Sequence, residues 1–280
     1  MSHSTEHNSR PEQSATLFIA ASETDSNLYY ATRFIAPDPF IYLEVKGERL
    51  MVMSDLEVDR ARNQATVDRV LSYSELERRA KSQGVKDPGT IDVIHLVLQD
   101  AGLKDILVPP TFPFLHASRL QEMGYRLRTK RDPFYEQRVM KSDDEVRHIE
   151  AAQRATETAV AAAHQHLRRA EIRDNVLWLD GEILTSERVK KLINVALMEC
   201  DCVAQHTIVA GGEQACDPHD EGSGPLPAHR SIIFDVFPRS AGTRYFADMS
   251  RTVVRGTPSP ELTRLYHAVK DAQEEAITKI

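Results

Sequence analysis

The sequence predicts an α/β (α+β) protein of two domains, and three observations carry that prediction. From Ala15 to about Arg138, short apolar runs alternate with amphipathic stretches, the pattern of a mixed sheet with helices. At Ser142-Asp143-Asp144-Glu145 a capping box opens a long Ala-rich helix and the pattern changes. Between Ser231 and Thr252 two aromatic and β-branched runs flank a Gly-containing turn, a hairpin signal.

The elements follow in order. Residues 1–14, MSHSTEHNSRPEQS, have no periodicity and several polar breakers, so they read as a disordered tail. Leu17–Ala20, Phe40–Val45 and Leu50–Met53 are short apolar runs, and the polar Lys46-Gly47-Glu48-Arg49 between the last two makes them a hairpin. Helices are expected at about Tyr73–Ser82 and Ile91–Ala101, then a strand at Ile106–Val108 and a helix near Phe114–Met123. The boundary between the domains, 15–138 and 139–280, falls just before the capping box. The long helix runs to about Leu167, a second spans Ser186 to about Met198, a strand-like run covers Val203–Ala210, and a last helix begins near Ser259 and runs to Ile280. No internal repeat or low-complexity tract is evident.

Composition narrows the function. With 41% hydrophobic and 28% charged residues over 280 positions, the chain is globular and long enough for two cores. Lys and Arg total 35 against 42 for Asp and Glu, a net charge of -7 that gives no pull toward nucleic acid or anionic lipid. No apolar run is long enough for a membrane span, and Met1–Gln13 is too polar for a secretory signal, so a cytoplasmic address is expected. The three cysteines, Cys200, Cys202 and Cys216, are odd in number and confined to one region, which argues against a disulfide framework; the Cys-x-Cys pair could bind a metal, but the favoured reading is buried thiols beside a strand. His164 and His166 fall on different faces of their helix and read as solvated surface.

The hairpin carries the chemistry. If its register is symmetric about Ala241 and Gly242, Asp235 lies directly opposite Asp248, with Cβ atoms about 4.5–5.5 Å apart on one face. Ile233, Phe237 and Phe246 share that face, and Ile232, Phe234, Val236, Tyr245 and Ala247 occupy the other, so neither side reads as solvated. Two carboxylates in an apolar layer need a shared proton or a cation, because like charges at this distance push one pKa sharply up. A divalent metal answers that need. The alternatives at this stage are two unrelated aspartates near a turn, or neutralisation by Arg251, which alternation points to the face opposite Asp248.

The string TIVAGGEQACDPHD (Thr207–Asp220), followed by IIFDVFPRSAGTRYFADMSRTVVRG (Ile232–Gly256), resembles the His and two Asp segments of the pita-bread metallopeptidases. That family comprises Xaa-Pro aminopeptidase, prolidase, creatinase and methionine aminopeptidase. NLYYATRF (Asn27–Phe34) is similar to a segment of its creatinase-like N-terminal domain, and VMKSDDEVRHIEAA (Val139–Ala152) to the start of its catalytic domain. The N-terminal domain favours the proline-specific branch or creatinase. The resemblance implies a creatinase-like mixed-sheet domain followed by the N-terminal part of a pita-bread domain. It assigns Asp235 mainly to one metal and Asp248 to a position bridging two, and it gives His219 proton transfer or stabilisation of the tetrahedral intermediate.

By the same resemblance the complete protein hydrolyses a peptide bond next to proline in a peptide substrate. It uses two divalent ions, for which manganese fits the oxygen-rich ligation, with cobalt, zinc or iron compatible. The chain departs from the family in having Phe237-Pro238 where a Gly is common. It is expected to stop before a further His and two Glu ligands, and so to be inactive as the 280-residue piece. Two alternatives stand: a creatinase-like amidinohydrolase, which works without metal, and a non-catalytic relic or binding module of the same fold. The oligomeric state is not fixed by the sequence, which allows a homodimer.

Overall fold

The computed structural model describes residues 14–280, so the expected tail lies outside the described residues except for Ser14, which already opens the first strand. The chain divides into two compact units, Met1–Met140 and Lys141–Ile280.

In chain order the first unit contains β1 (Ser14–Ala20), α1 (Ser26–Thr32), β2 (Phe40–Val45), β3 (Glu48–Met53), α2 (Val58–Gln64), β4 (Arg69–Ser72), α3 (Tyr73–Ser82), α4 (Thr90–Ala101), β5 (Asp105–Val108), α5 (Phe114–Glu122) and β6 (Arg126–Thr129). The strands form one mixed sheet in the order β4-β3-β2-β1-β5-β6. β1, β2 and β3 are antiparallel neighbours, and β4, β5 and β6 join in parallel. Strand alternation sends Leu17, Ile41, Leu43, Leu50 and Val52 to one face, where they pack with Val93, Ile94 and Leu98 of α4. Phe18, Tyr42, Met51 and Met53 go to the other, against Leu28, Phe34 and Phe134. Both faces are therefore cores, which explains why these strands read as nearly continuous apolar runs.

The expected hairpin is present. Val45 pairs with Glu48, leaving a two-residue turn in which Lys46 (φ 53°) and Gly47 (φ 84°) both take the left-handed conformation that matches the twist of the flanking strands. The short elements α1, α2, β4 and β6 are additions to the sequence reading. α1 could have been found from Asp25, whose carboxylate accepts from the Leu28 amide as an N-cap.

The second unit begins with α6 (Asp143–Arg169). Both bonds of the capping box form: the Glu145 amide donates to Ser142 Oγ (3.3 Å) and the Ser142 amide to Glu145 Oε2 (2.9 Å). Ala152, Ala155, Thr156, Ala159, Val160, Ala163 and Leu167 make its buried stripe at helical spacing. Then follow β7 (Glu171–Arg173), β8 (Val176–Leu179), β9 (Glu182–Ile183), α7 (Ser186–Met198), β10 (Cys202–Val203), β11 (Ile208–Gly211), β12 (Ile232–Val236), β13 (Arg239–Ser240), β14 (Met249–Val253) and α8 (Pro260–Ile277). The single strand expected at Val203–Ala210 is split in two, because His206 (φ 57°) turns the chain between β10 and β11.

The sheet β11-β12-β14 lays Val209, Ile232, Phe234, Val236 and Met249 on one core shared with the buried stripe of α6. Among the described residues no helix is long and apolar enough to cross a membrane.

Candidate metal centre

The hairpin expected to bring Asp235 and Asp248 together exists, with a register displaced by two residues from the symmetric one. Asp235 pairs with Ser250, Phe234 with Arg251 and Val236 with Met249. The reason is the turn. Ser240 donates its amide to the Tyr245 carbonyl, and Arg239 bridges Phe246, so the connection is the four-residue loop Ala241–Arg244 rather than a two-residue turn centred on Ala241-Gly242. The left-handed position is Arg244 (φ 66°), not Gly242. Pro238, which has no amide proton, interrupts the ladder between β12 and β13, yet its carbonyl still accepts from Ala247 (3.0 Å).

A shift of two residues preserves which face each side chain occupies. Asp235 and Asp248 therefore share a face as expected, but as diagonal rather than directly opposed neighbours, a spacing of about 7–8 Å between backbones. Continuing the pairing puts Asp248 across from Phe237. Asp235 Oδ1 accepts from Ser250 Oγ at 2.6 Å.

The expectation that neither face is solvated is also corrected. The side with Phe234 is core, whereas Asp248 is exposed, Phe246 is 57% exposed, and Ile233, Asp235 and Phe237 are half-buried. The pair thus sits on an open sheet face and not in an apolar layer. Arg251 donates to the Ser250 carbonyl (2.8 Å), so its role as neutraliser of the pair finds no support.

His219 lies in the long loop between β11 and β12 and is exposed. That loop is held by its own short polar side chains. Asp217 Oδ1 accepts the His219 amide (3.0 Å), Asp220 Oδ1 accepts the Gly222 amide (2.8 Å), and Gln214 binds Ser223 through both ends of its amide group. The loop then returns to the edge of β11, where the Val209 amide donates to the Glu221 carbonyl (3.0 Å). Gly222 (φ 77°) fits here because a Cβ would stand 2.0 Å from the Val209 carbonyl oxygen, and the Gly222 carbonyl accepts from Lys190 Nζ (2.8 Å). Glu221 pairs with His206 (2.7 Å).

Among the described residues no three His, Cys, Asp or Glu side chains converge as a metal-holding group. The two aspartates offer the carboxylate oxygens that an oxygen-preferring divalent ion takes, and by themselves would make only part of a ligand set. Of the cysteines only Cys202 is buried; Cys200 and Cys216 are exposed, which corrects the reading of all three as buried thiols, and all are free. Burial pushes the Cys202 thiol up from its ordinary pKa. His164 is exposed, and His166 engages the Ala162 carbonyl through Nδ1 (2.9 Å). Sequence reasoning named Ser250 only within its motif; its place as the partner of Asp235 depends on the true register.

Comparison with known proteins agrees with the resemblance drawn from the motifs. Residues 147–280 match metallopeptidase family M24. An uncharacterized peptidase of Staphylococcus saprophyticus is 24% identical over 266 residues, which is 92% of this chain and 67% of that protein. The Xaa-Pro dipeptidase of Pyrococcus horikoshii is 24% identical over 179 residues, 63% of this chain and 47% of that one. The fold is similar to that of the prolidase from P. horikoshii (TM-score 0.71, 19% identity, 94% of this chain and 67% of that chain). It is also similar to that of X-Pro aminopeptidase from Thermotoga maritima (TM-score 0.72, 20% identity, 95% and 69%).

Proposed function

Taking as premise that residues 147–280 belong to metallopeptidase family M24, we propose that the protein is a cytoplasmic, metal-dependent peptidase. It acts on bonds next to proline, as an Xaa-Pro dipeptidase or aminopeptidase. The observation that carries the reading is the placing of Asp235 and Asp248 on one open face of a single hairpin inside the matched region. Two divalent ions, manganese first and cobalt, zinc or iron as alternatives, would when bound lower the pKa of a shared water and polarise the scissile carbonyl.

The chain's own groups have distinct parts in this reading. The Ser250 hydroxyl occupies Oδ1 of Asp235, which fixes the carboxylate's rotation and leaves Oδ2 for a cation. Asp248, exposed, would supply the second carboxylate that holds the ions. His219 moves the proton from a loop tied by Asp217 and Asp220, so its backbone is fixed before substrate arrives.

A second reading, a binding module that keeps the fold without turnover, is favoured by the lack of a third converging ligand among the described residues. The two are separated by titrating manganese while following hydrolysis of a proline-containing peptide. We expect the 280-residue chain to bind manganese weakly and show negligible turnover, and Asp235→Asn and Asp248→Asn each to abolish the binding. Manganese binding untouched by both substitutions would overturn the assignment of the ligands.

A further inference from the structure

The hairpin could form two registers that satisfy its apolar pattern equally. In the observed one Asp235 faces Ser250; in the symmetric one it would face Asp248. Because both send Phe234 to the core, hydrophobic burial does not choose between them. Something else must, and it lies on the face opposite the aspartates, at the hairpin's tip.

Tyr245 is the first residue after the Ala241–Arg244 loop, and its amide plane is set by the bond from Ser240 to the Tyr245 carbonyl (2.9 Å). Its hydroxyl donates to Glu145 Oε1 at 2.6 Å, and its ring lies 5.4 Å from that of His148. Glu145 is only 7% exposed, and its other oxygen accepts the Ser142 amide at the N-cap of α6. A carboxylate held at the start of a 27-residue helix is thus a fixed point against which the hairpin tip is measured. A two-residue slip carries Tyr245 along its strand by about 6.6 Å, well beyond hydrogen-bonding reach of that point.

We propose that Glu145 and Tyr245 are positioning residues that select the hairpin register and so set the diagonal spacing of Asp235 and Asp248. Glu145 therefore acts twice, capping α6 with one oxygen and gauging the hairpin with the other. The register part stands on geometry alone; the consequence for metal affinity rests on the assignment of the two aspartates as ligands.

The test uses the 280-residue chain with Tyr245→Phe, which keeps the ring against His148, Glu145→Gln, and Ser142→Ala. The last weakens the helix cap without touching Tyr245, and serves as the control for general loss of stability. Amide exchange is followed along the hairpin, and manganese binding is read from the paramagnetic resonance spectrum. We expect Tyr245→Phe and Glu145→Gln to speed exchange at the Ser240 and Ala247 amides and to weaken manganese binding about tenfold, the size typical of groups that orient a metal's ligands. Ser142→Ala should leave both unchanged, and the double variant should lose no more than either single one. Exchange at Ser240 and Ala247 unaltered in Tyr245→Phe, or equally altered in Ser142→Ala, would overturn the register clamp. Altered exchange with manganese binding unchanged would retain the clamp and remove the aspartates from the metal site.

Discussion

Two hairpins in this protein answered the same kind of sequence signal differently. In the first unit, Gly47 follows Lys46 between two apolar runs, and both residues take up the left-handed conformation of a two-residue turn. In the second, Gly242 follows Ala241 in a similar setting, yet its backbone stays out of that region and Arg244 takes the left-handed position. The difference is in what flanks the turn. Strands β2 and β3 pair without interruption from Val45↔Glu48 onward, so the tight turn is the natural closure. Pro238 and the bonds made by Tyr245 hold the second hairpin further along, and the loop lengthens to four residues. A glycine between two strands marks a turn; neighbours outside the turn decide its length.

The largest expected effect tests whether the two hairpins share the same kind of core. Phe234 is fully buried, and Phe234→Ala should cost about 3–5 kcal/mol in urea unfolding of the second unit. A loss below about 1 kcal/mol would mean that Phe234 is not on the core face, and the register would fall with it.

Next in size is a direct comparison of the two glycines. Gly47→Ala forces a side chain into a left-handed position and should cost about 1–2 kcal/mol by thermal unfolding. Gly242→Ala, where a Cβ meets nothing within 4 Å and the backbone is not left-handed, should be neutral or stabilise by up to about 1 kcal/mol. Equal losses at both sites would erase the contrast between the hairpins.

A third measurement asks how firmly the second hairpin's tip is held. Cys202 lies on β10, opposite Ser240 of the hairpin, and is buried, while Cys200 is exposed. Labelling by a thiol reagent should be at least about tenfold slower at Cys202 and require strand opening. Since burial raises the Cys202 pKa, its thiolate forms at higher pH, and its labelling should begin above the pH at which a small free thiol reacts. Equal rates would show the tip to be loose.

The smallest effect is the most specific to the register. Ser250→Ala removes the hydroxyl bonded to Asp235 and should cost about 0.5–1 kcal/mol, measured by urea unfolding at neutral pH. In the symmetric register Ser250 would have no such partner, and the substitution would be silent.

Most long elements were legible in the sequence because each carried a local signal that tertiary packing did not overrule. Tyr73–Ser82 and Ser186–Met198 match the expected spans, and the capping box at Ser142 marked the start of α6. The short elements α1, α2, β4 and β6 were missed: the two helices span only two turns, and β4 and β6, unlike the equally short but mostly apolar β5, carry polar residues at both ends of the strand. At the site, the face shared by Asp235 and Asp248 was legible because parity survives a shift of two. Their opposition was not, because Tyr245 and Glu145 are far apart in sequence and only the fold brings them together. The openness of that face was likewise hidden: apolar residues such as Phe246 look the same in a sequence whether covered or exposed.

Gly222 shows how little room for inherited change the His219 loop has. Any codon change that adds a side chain there drives carbon into the backbone oxygen of Val209, and even alanine is too large. Two positions on, Gly224 has a similar left-handed backbone (φ 70°) but open space around it, where an asparagine would be accommodated. In a library carrying every substitution at both codons, position 222 should return glycine alone among stably folded clones, while 224 returns a short spectrum. Beside the bonds of Asp217, Asp220 and Gln214, the loop's shape therefore depends on one backbone position that only glycine fits, and a lineage that lost this glycine could recover the loop only by reversion or by rebuilding the edge of β11.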